Sequence, residues 1–351
     1  MRPNTRIAVV GYGYWGIRHV RVLSSMPGVD VTVVDSSLKR LAEAAAHYPN
    51  ARLVTELDGI LGDLEAVVVA TPPSTHFALA LSALNSGVHV LVEKPLATTV
   101  HDAEALVEAA SGNRLMVGHT FMYNPAVRRL REIIDSGILG RILYIDAARL
   151  NLGLYQSDVN VIWDLAPHDI SIATYLLDEV PMSTSVWASR HVGRGHPDVA
   201  YLRLDFPTTR AFVHVSWLSP NKVRRTTVVG DQKMAVYDDM SDNERIRIYD
   251  IGVDPAEVDS APATGDMPVT YRTGDITSPY VEFREPLLVE DLHFVDCVRT
   301  LARPDTPGER GLDVVRVLAA TDRALATGQT ASVFGPSDHA KLAIPGNRAA
   351  S

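Results

Sequence analysis

The sequence predicts an α/β protein whose first half is a doubly wound parallel sheet. Three observations lead there. Apolar runs of strand length recur, rich in valine and isoleucine, and lack the alternation of a half-exposed strand. Segments of helix length separate these runs in regular alternation, the pattern of successive βα units. A glycine-rich turn joins the first run to the first such segment.

Arg6 to Val10, "RIAVV", is the first strand, and "GYGYWG" follows at once with Gly11, Gly13 and Gly16 in the order G-x-G-x-x-G. Gly11 permits the tight turn out of the strand, Gly13 lets a pyrophosphate approach the backbone, and Gly16 lets the helix pack on the strand. The helix "IRHVRVLSSM" would offer its free N–H groups and positive dipole end to phosphates. The second strand, "VDVTVVDSS", ends in Asp35 and Ser36, with Asp35 19 residues after Gly16. An acid there binds the adenosine ribose hydroxyls. It repels a 2′-phosphate, which favours NAD over NADP, with Lys39 and Arg40 a partial offset.

The alternation continues. "LEAVVVATPP" is a strand running into Ala70, Thr71, Pro72 and Pro73, and "HFALALSALNSG" is a helix stopped at Gly87. "VHVLVEKP", "TVHDAEALVEAASG" and "NRLMVGHTF" read as strand, helix and strand. Three polar clusters, Thr71 to His76, Glu93 to Pro95 and His119 to Pro125, fall at carboxyl ends of strands, where open α/β sheets bind ligands. The expected dinucleotide contacts are Gly11, Gly13, Tyr14, Trp15, Gly16, Asp35, Ser36, Ala70, Thr71, Pro72, Pro73, His76, Glu93, Lys94 and His119.

Composition excludes other classes. The chain has 351 residues, 46% hydrophobic and 21% charged, with a formal net charge of −9. That is ordinary globular composition, with no electrostatic footprint for nucleic acid or an anionic membrane. No apolar stretch reaches a membrane span. The N-terminus runs straight into a strand pattern, so no signal peptide is expected. Cys297 is the only cysteine; it reads as a small core residue, and a reducing cytoplasm is the expected location. No Cys/His cluster points to a metal.

The ordered set "GYGYWG", "ATPPSTH", "EKP", "GHTFMYNPA" and a D-x-x-x-H motif, Asp164 to His168, resembles the Gfo/Idh/MocA oxidoreductases. The resemblance runs from Ile7 to about Gly328, where "GERGLDVVRVLAATDRALATGQ" looks like that family's last helix. It implies a Rossmann domain over residues 1–124 and an α+β substrate and oligomerisation domain over 125–335, built on a large, open, mainly antiparallel sheet. Short runs such as "VAYLRLDF" and "TRAFVHVSWL" agree with such a sheet. Val253 to Thr277 reads as a long loop and 336–351 as a tail. A homodimer or homotetramer is implied, and the last helix is expected to pack back on the first domain.

By the same resemblance Lys94, Asp164 and His168 line the substrate site. His168 is assigned as the general base in oxidation, since imidazole titrates near neutral pH. Asp164 would orient it or bind a hydroxyl, and Lys94 would steady the developing alkoxide. The sequence leaves open whether Lys94 or His168 accepts the proton. Read from spacing alone, Asp164 and His168 share one helix face, with Pro167 in the helix's first turn. The family's commoner form is D-x-G-x-H-x-x-D; here Ala166 replaces the glycine and the second acid is Asp169. Trp163 is either a wall for a sugar ring or a core residue. Tyr123, Asn124, Arg149, Asn151 and Asn160 are candidate sugar or diphosphate contacts, each with a structural role as the alternative.

"SWLSPNKVRRTTVVGDQKMAVYDD" resembles a branch found among bacterial polysaccharide and antibiotic-sugar enzymes. That implies a nucleotide-linked sugar as substrate, with Lys222, Arg224 and Arg225 either meeting a diphosphate or forming a solvated edge. The alternatives are a free sugar or inositol, and a dinucleotide-sensing protein without turnover.

Overall fold

The computed structural model describes residues 4–153, 155, 159–192, 195–253 and 271–335. The first half is a six-stranded parallel sheet of β1 (Thr5–Val10), β2 (Val29–Val34), β3 (Arg52–Val54), β4 (Ala66–Val69), β5 (His89–Glu93) and β6 (Leu115–Gly118). The spatial order is β3-β2-β1-β4-β5-β6. Chain direction across the sheet reverses between β1 and β4, which opens a crevice at their carboxyl ends. Helices α1 (Tyr14–Ser24), α2 (Leu38–His47), α3 (His76–Asn85) and α4 (Val100–Ala109) make the crossovers. Side-chain caps start two of them: Ser37 accepts from the Arg40 N–H, and Thr99 from that of Asp102. All four residues of β4 are buried, which explains its unbroken "AVVV".

The second half holds α5 (Pro125–Asp135), β7 (Ile142–Leu152), α6 (Val161–Leu177), β8 (Ser183–Ser189), β9 (Val199–Asp205), β10 (Arg210–Ser216) and β11 (Leu218–Gly230). After these come β12 (Met234–Asp238), β13 (Ile246–Tyr249), β14 (Gly252–Val253), β15 (Tyr271–Arg272), β16 (Ile276–Thr277), α7 (Pro286–Thr300), α8 (Gly308–Thr327) and β17 (Ala331–Ser332). Nine strands form one sheet in the order β16-β13-β12-β11-β7-β10-β9-β8-β17. Every pair in it is antiparallel except β7 with β10. The α/β class, with a parallel sheet followed by a mainly antiparallel one, is as the sequence indicates. The expected loop from Val253 to Thr277 is partly strand: Gly252–Val253 pairs with Tyr271–Arg272, and Ile276–Thr277 adds to β13. Residues 254–270 and the tail 336–351 lie outside the described residues.

Helices α6 and α8 cover one face of the large sheet. The other carries exposed Tyr144, Trp187, Tyr201 and Phe212, in ring contact as Tyr144–Phe212 and Trp187–Tyr201. The last two helices reach back to the first half, α7 against α1 and α8 against α4 and β6. Cys297 is buried in α7, and burial pushes its thiol up to about 11. Among the described residues no helix is long and apolar enough to cross a membrane.

Candidate active site

The glycine turn at the end of β1 has the shape its pattern requires. Gly11 has φ +92°, and a Cβ there would lie 2.7 Å from the Ala70 carbonyl oxygen. A Cβ on Gly16 would lie 1.7 Å from the Gly11 carbonyl oxygen, so only glycine lets α1 sit this close to the strand. A Cβ on Gly13 would meet nothing within 4 Å. Gly13 is also the N-cap of α1, with no side-chain cap, so open space lies beside uncapped N–H groups. This cradle fits a pyrophosphate. At the end of β2 the Asp35 carboxylate is pinned by the N–H groups of Tyr12 at 2.7 Å and Ser37 at 2.8 Å. Arg40 reaches to 3.4 Å of it. Ser36, Tyr14 and Pro72 are exposed, and Trp15, Ala70, Thr71 and Pro73 are half-buried.

Three expected contacts at this rim are instead buried. His76 spans two loops, with Nδ1 2.8 Å from the Pro95 carbonyl oxygen and Nε2 2.9 Å from that of Thr71. His119 is sealed with neither ring nitrogen partnered among the described residues, and burial pushes it down to about 4. Glu93 faces inward: Oε1 lies 3.1 Å from His19 Nε2, and Oε2 accepts the Lys94 N–H at 3.2 Å. The other nitrogen of His19 is 2.8 Å from Asp291 on α7. Burial acts to deprotonate this ring, but Asp291 and Glu93 outweigh it and hold His19 well above its ordinary pKa. Beside them Glu290 takes a hydrogen bond from the Thr120 hydroxyl, and its carboxyl is pushed well up by burial and by Glu93.

The acid–imidazole motif lies on α6. Asn160 caps that helix, its Oδ1 accepting the N–H groups of Ile162 and Trp163 at 2.9 and 3.0 Å. This placement corrects two expectations. The Asn160 Oδ1 is spent on the cap, and Pro167 lies in the helix interior rather than its first turn. Asp164 and His168 still share a face. The Lys94–Pro95 peptide is cis, and Lys94 Nζ donates to the Asp164 carbonyl oxygen at 2.8 Å and lies 3.5 Å from Oδ1. The Trp217 indole N–H holds Asp164 Oδ2 at 2.9 Å. His168 packs edge-on to Phe121, and its Nδ1 is sealed without a partner among the described residues. Burial, then the charges of Lys94, Arg149 and Arg224, drives it well below its ordinary pKa. The ring is neutral at neutral pH and able to take a proton.

His168 lines a hollow of about 390 Å³ with Trp15, Phe121, Asn124, Arg149, Asn151, Lys222, Arg224, Arg245 and Phe283. Lys94 and Asp164 lie outside this lining, paired with each other. Tyr123 does not face the hollow: it is fully buried, its hydroxyl 2.9 Å from Thr306 Oγ1. Trp163 is a core residue, its indole N–H bonded to Asp322 at 2.8 Å. Asn124 caps α5 through the Ala126 N–H and reaches the Tyr237 hydroxyl. Arg149 lies over Phe121 at 4.3 Å and pairs bidentately with Asp169 at 2.8 and 3.0 Å, which gives Asp169 its role. Arg18, His19, Trp217, Arg245, Phe283, Glu290 and Asp291 escaped sequence reasoning. Of these only His19 carried a local signal, three residues after Gly16 on the same helix face.

Residues 5–121 match the family model described as "Oxidoreductase family, NAD-binding Rossmann fold", and residues 127–236 match "GFO/IDH/MocA C-terminal domain". This chain belongs to the Gfo/Idh/MocA family. It is 29% identical over 286 residues to UDP-N-acetylglucosamine 3-dehydrogenase of Acidithiobacillus ferrooxidans, covering 80% of this chain and 87% of that one. It is 38% identical over 192 residues to inositol 2-dehydrogenase of Rhodococcus erythropolis, covering 52% of this chain. The match spans 56% of that relative's length, and 59% of inositol 2-dehydrogenase 2 of Saccharopolyspora erythraea. Among solved structures, GenD2 from gentamicin A biosynthesis, in complex with NAD, superposes with TM-score 0.79 at 25% identity over 95% of this chain and 98% of that one.

Proposed function

We propose that this chain is an NAD-dependent oxidoreductase acting on a CH–OH group of a sugar, and that the sugar is nucleotide-linked. One observation carries the reading: a neutral imidazole, His168, lines the hollow one helical turn from the Lys94–Asp164 pair, at the carboxyl end of the dinucleotide sheet. NAD supplies the hydride acceptor. His168 takes the hydroxyl proton. Lys94, positioned by Asp164, steadies charge on the reacting oxygen. Asp164 is itself fixed by Trp217. Gly11, Gly13, Gly16 and the α1 N-terminus hold the pyrophosphate, and Asp35 takes the ribose hydroxyls, which favours NAD over NADP. The intact Lys94, Asp164 and His168 set argues against a sensing protein without turnover.

The nucleotide-linked substrate is supported by the reach of the match to UDP-N-acetylglucosamine 3-dehydrogenase. The second reading, inositol or a free sugar, rests on the higher but shorter identity to inositol 2-dehydrogenases. The uncovered aromatic face of the large sheet supports a homodimer or homotetramer. A single buried cysteine suits a reducing cytoplasm.

The test is NADH formation with a panel of sugar nucleotides, free sugars and inositol. Lys94→Ala and His168→Ala should each cut turnover by about 10²–10⁴-fold with NAD binding retained. Full activity in both variants would refute the assignment.

A further inference from the structure

The hollow beside His168 is electropositive although the chain as a whole carries a net charge of −9. Five cations line it: Arg18, Arg149, Lys222, Arg224 and Arg245. Their partners are unequal. Arg149 is neutralised by its bidentate contact with Asp169. Glu285, one of the two acids at the wall, is taken by Arg21 from outside it. That leaves Asp239 to serve both Arg224 at 3.3 Å and Arg245 at 3.5 Å. The same carboxylate also accepts from the Tyr237 hydroxyl and the Asn124 amide. Lys222 pairs with no carboxylate among the described residues, and Arg18 is bonded to the Tyr14 carbonyl oxygen and stacked on the Tyr14 ring.

Strand geometry explains the selection. Successive residues of β11 point to opposite faces, so Lys222 and Arg224 line the hollow while Arg225 lies 3.7 Å from Asp238 in a separate depression. Among the described residues, two guanidiniums sharing one carboxylate, beside an ammonium with no carboxylate partner, leave excess positive charge in a concave site. A neutral polyol does nothing to offset that cost. An oxyanion offsets it with charge-assisted hydrogen bonds. Phe121 and Phe283 supply apolar faces between the cations.

We infer that this hollow takes an oxyanion carried by the substrate, a phosphate or a carboxylate, held by Lys222 with Arg224 and Arg245. The inference rests on the oxidoreductase reading and deepens it by naming the side chains that hold the substrate's charged group. It makes these three side chains binding groups set apart from Lys94 and His168.

The test is isothermal titration of the NAD-saturated protein, with the dinucleotide crevice filled, using UDP, uridine, glucuronate and myo-inositol. UDP or glucuronate should bind, with affinity falling as salt rises. Lys222→Ala and Arg224→Gln should each weaken that affinity by about tenfold or more, with NAD affinity as the check on folding. Binding of UDP alone assigns a phosphate, and of glucuronate alone a carboxylate. If neither binds better than uridine or myo-inositol, while the enzyme still oxidises a neutral polyol, the oxyanion site is overturned and the dehydrogenase reading stands. If the oxyanions bind in a Lys222-dependent way but no substrate yields NADH, the site stands and the oxidoreductase reading falls.

Discussion

The two halves of this chain offer a ligand different kinds of surface. The dinucleotide crevice is built from backbone: the turn at Gly11, the close approach at Gly16, uncapped N–H groups on α1, and an Asp35 carboxylate pinned by two further N–H groups. The wall opposite is built from long side chains on β7 and β11 and just before β13, which compete for few carboxylates. A backbone cradle suits a ligand of fixed shape and tolerates little change. A wall of arginine and lysine is easily altered one residue at a time, which is how one fold comes to serve many sugars. Removal of Lys94 or His168 acts at the boundary between the halves, and separates them by ending turnover while sparing the cradle.

The next largest effect should come from the link that ties the halves together. His19 sits between Glu93 and Asp291 with all three buried. His19→Ala leaves two buried carboxylates without their cation and should cost about 3–5 kcal/mol of stability, measured by urea denaturation. Loss below about 1 kcal/mol would show that the link contributes little. The pH sense is fixed by the direction of the shift. The folded pKa of His19 is raised above its unfolded value of about 6.5, so its stabilisation is complete below that pH and is lost as pH climbs through the folded value. Glu290 and Asp291, also raised, act in the same direction. The wild type should therefore lose stability on the alkaline side, and His19→Ala should remove the imidazole's share of that loss and leave the share of the buried carboxyls.

A smaller change is expected in the cradle itself. Asp35→Ser should weaken NAD by about tenfold, the worth of a hydrogen bond to a charged group, and narrow the gap to NADP. Equal loss for both dinucleotides would show that Asp35 only supports the Tyr12 turn. The mildest effect is a displacement on the pH axis. Because His168 is held well below 6.5, kcat/KM for oxidation should stay level as pH falls through 6.5 and drop only at lower pH. An acid limb at or above 6.5 would exclude His168 as the proton acceptor.

Most of the parallel sheet and the glycine turn were legible because their causes are local. Strand, turn and helix follow within 20 residues, and Asp35 lies at a fixed distance from Gly16. Most of the departures depend on distant partners. Trp163 became a core residue through Asp322 on α8, 159 residues away, and Tyr123 through Thr306, 183 residues away. His19 and Asp291 are 272 residues apart. These partners lie on or just before the two helices that return to the first half, and no periodicity encodes a return. Pro167 misled for a different reason. Its missing N–H suits a helix start, but Asn160 had already begun the helix, so the sequence held two competing start signals.

The ring of His76 lies between two carbonyl oxygens, each near enough to want a proton from it. Burial lowers its pKa and so favours the neutral ring, which carries a single N–H. Thr71 and Pro95 therefore share one donor, and at any moment one of them goes without. The ring thus bridges the loop that would lie along the dinucleotide and the loop that carries Lys94, with its one proton toward either. A tautomer flip, with no movement of heavy atoms, decides which of the two is held.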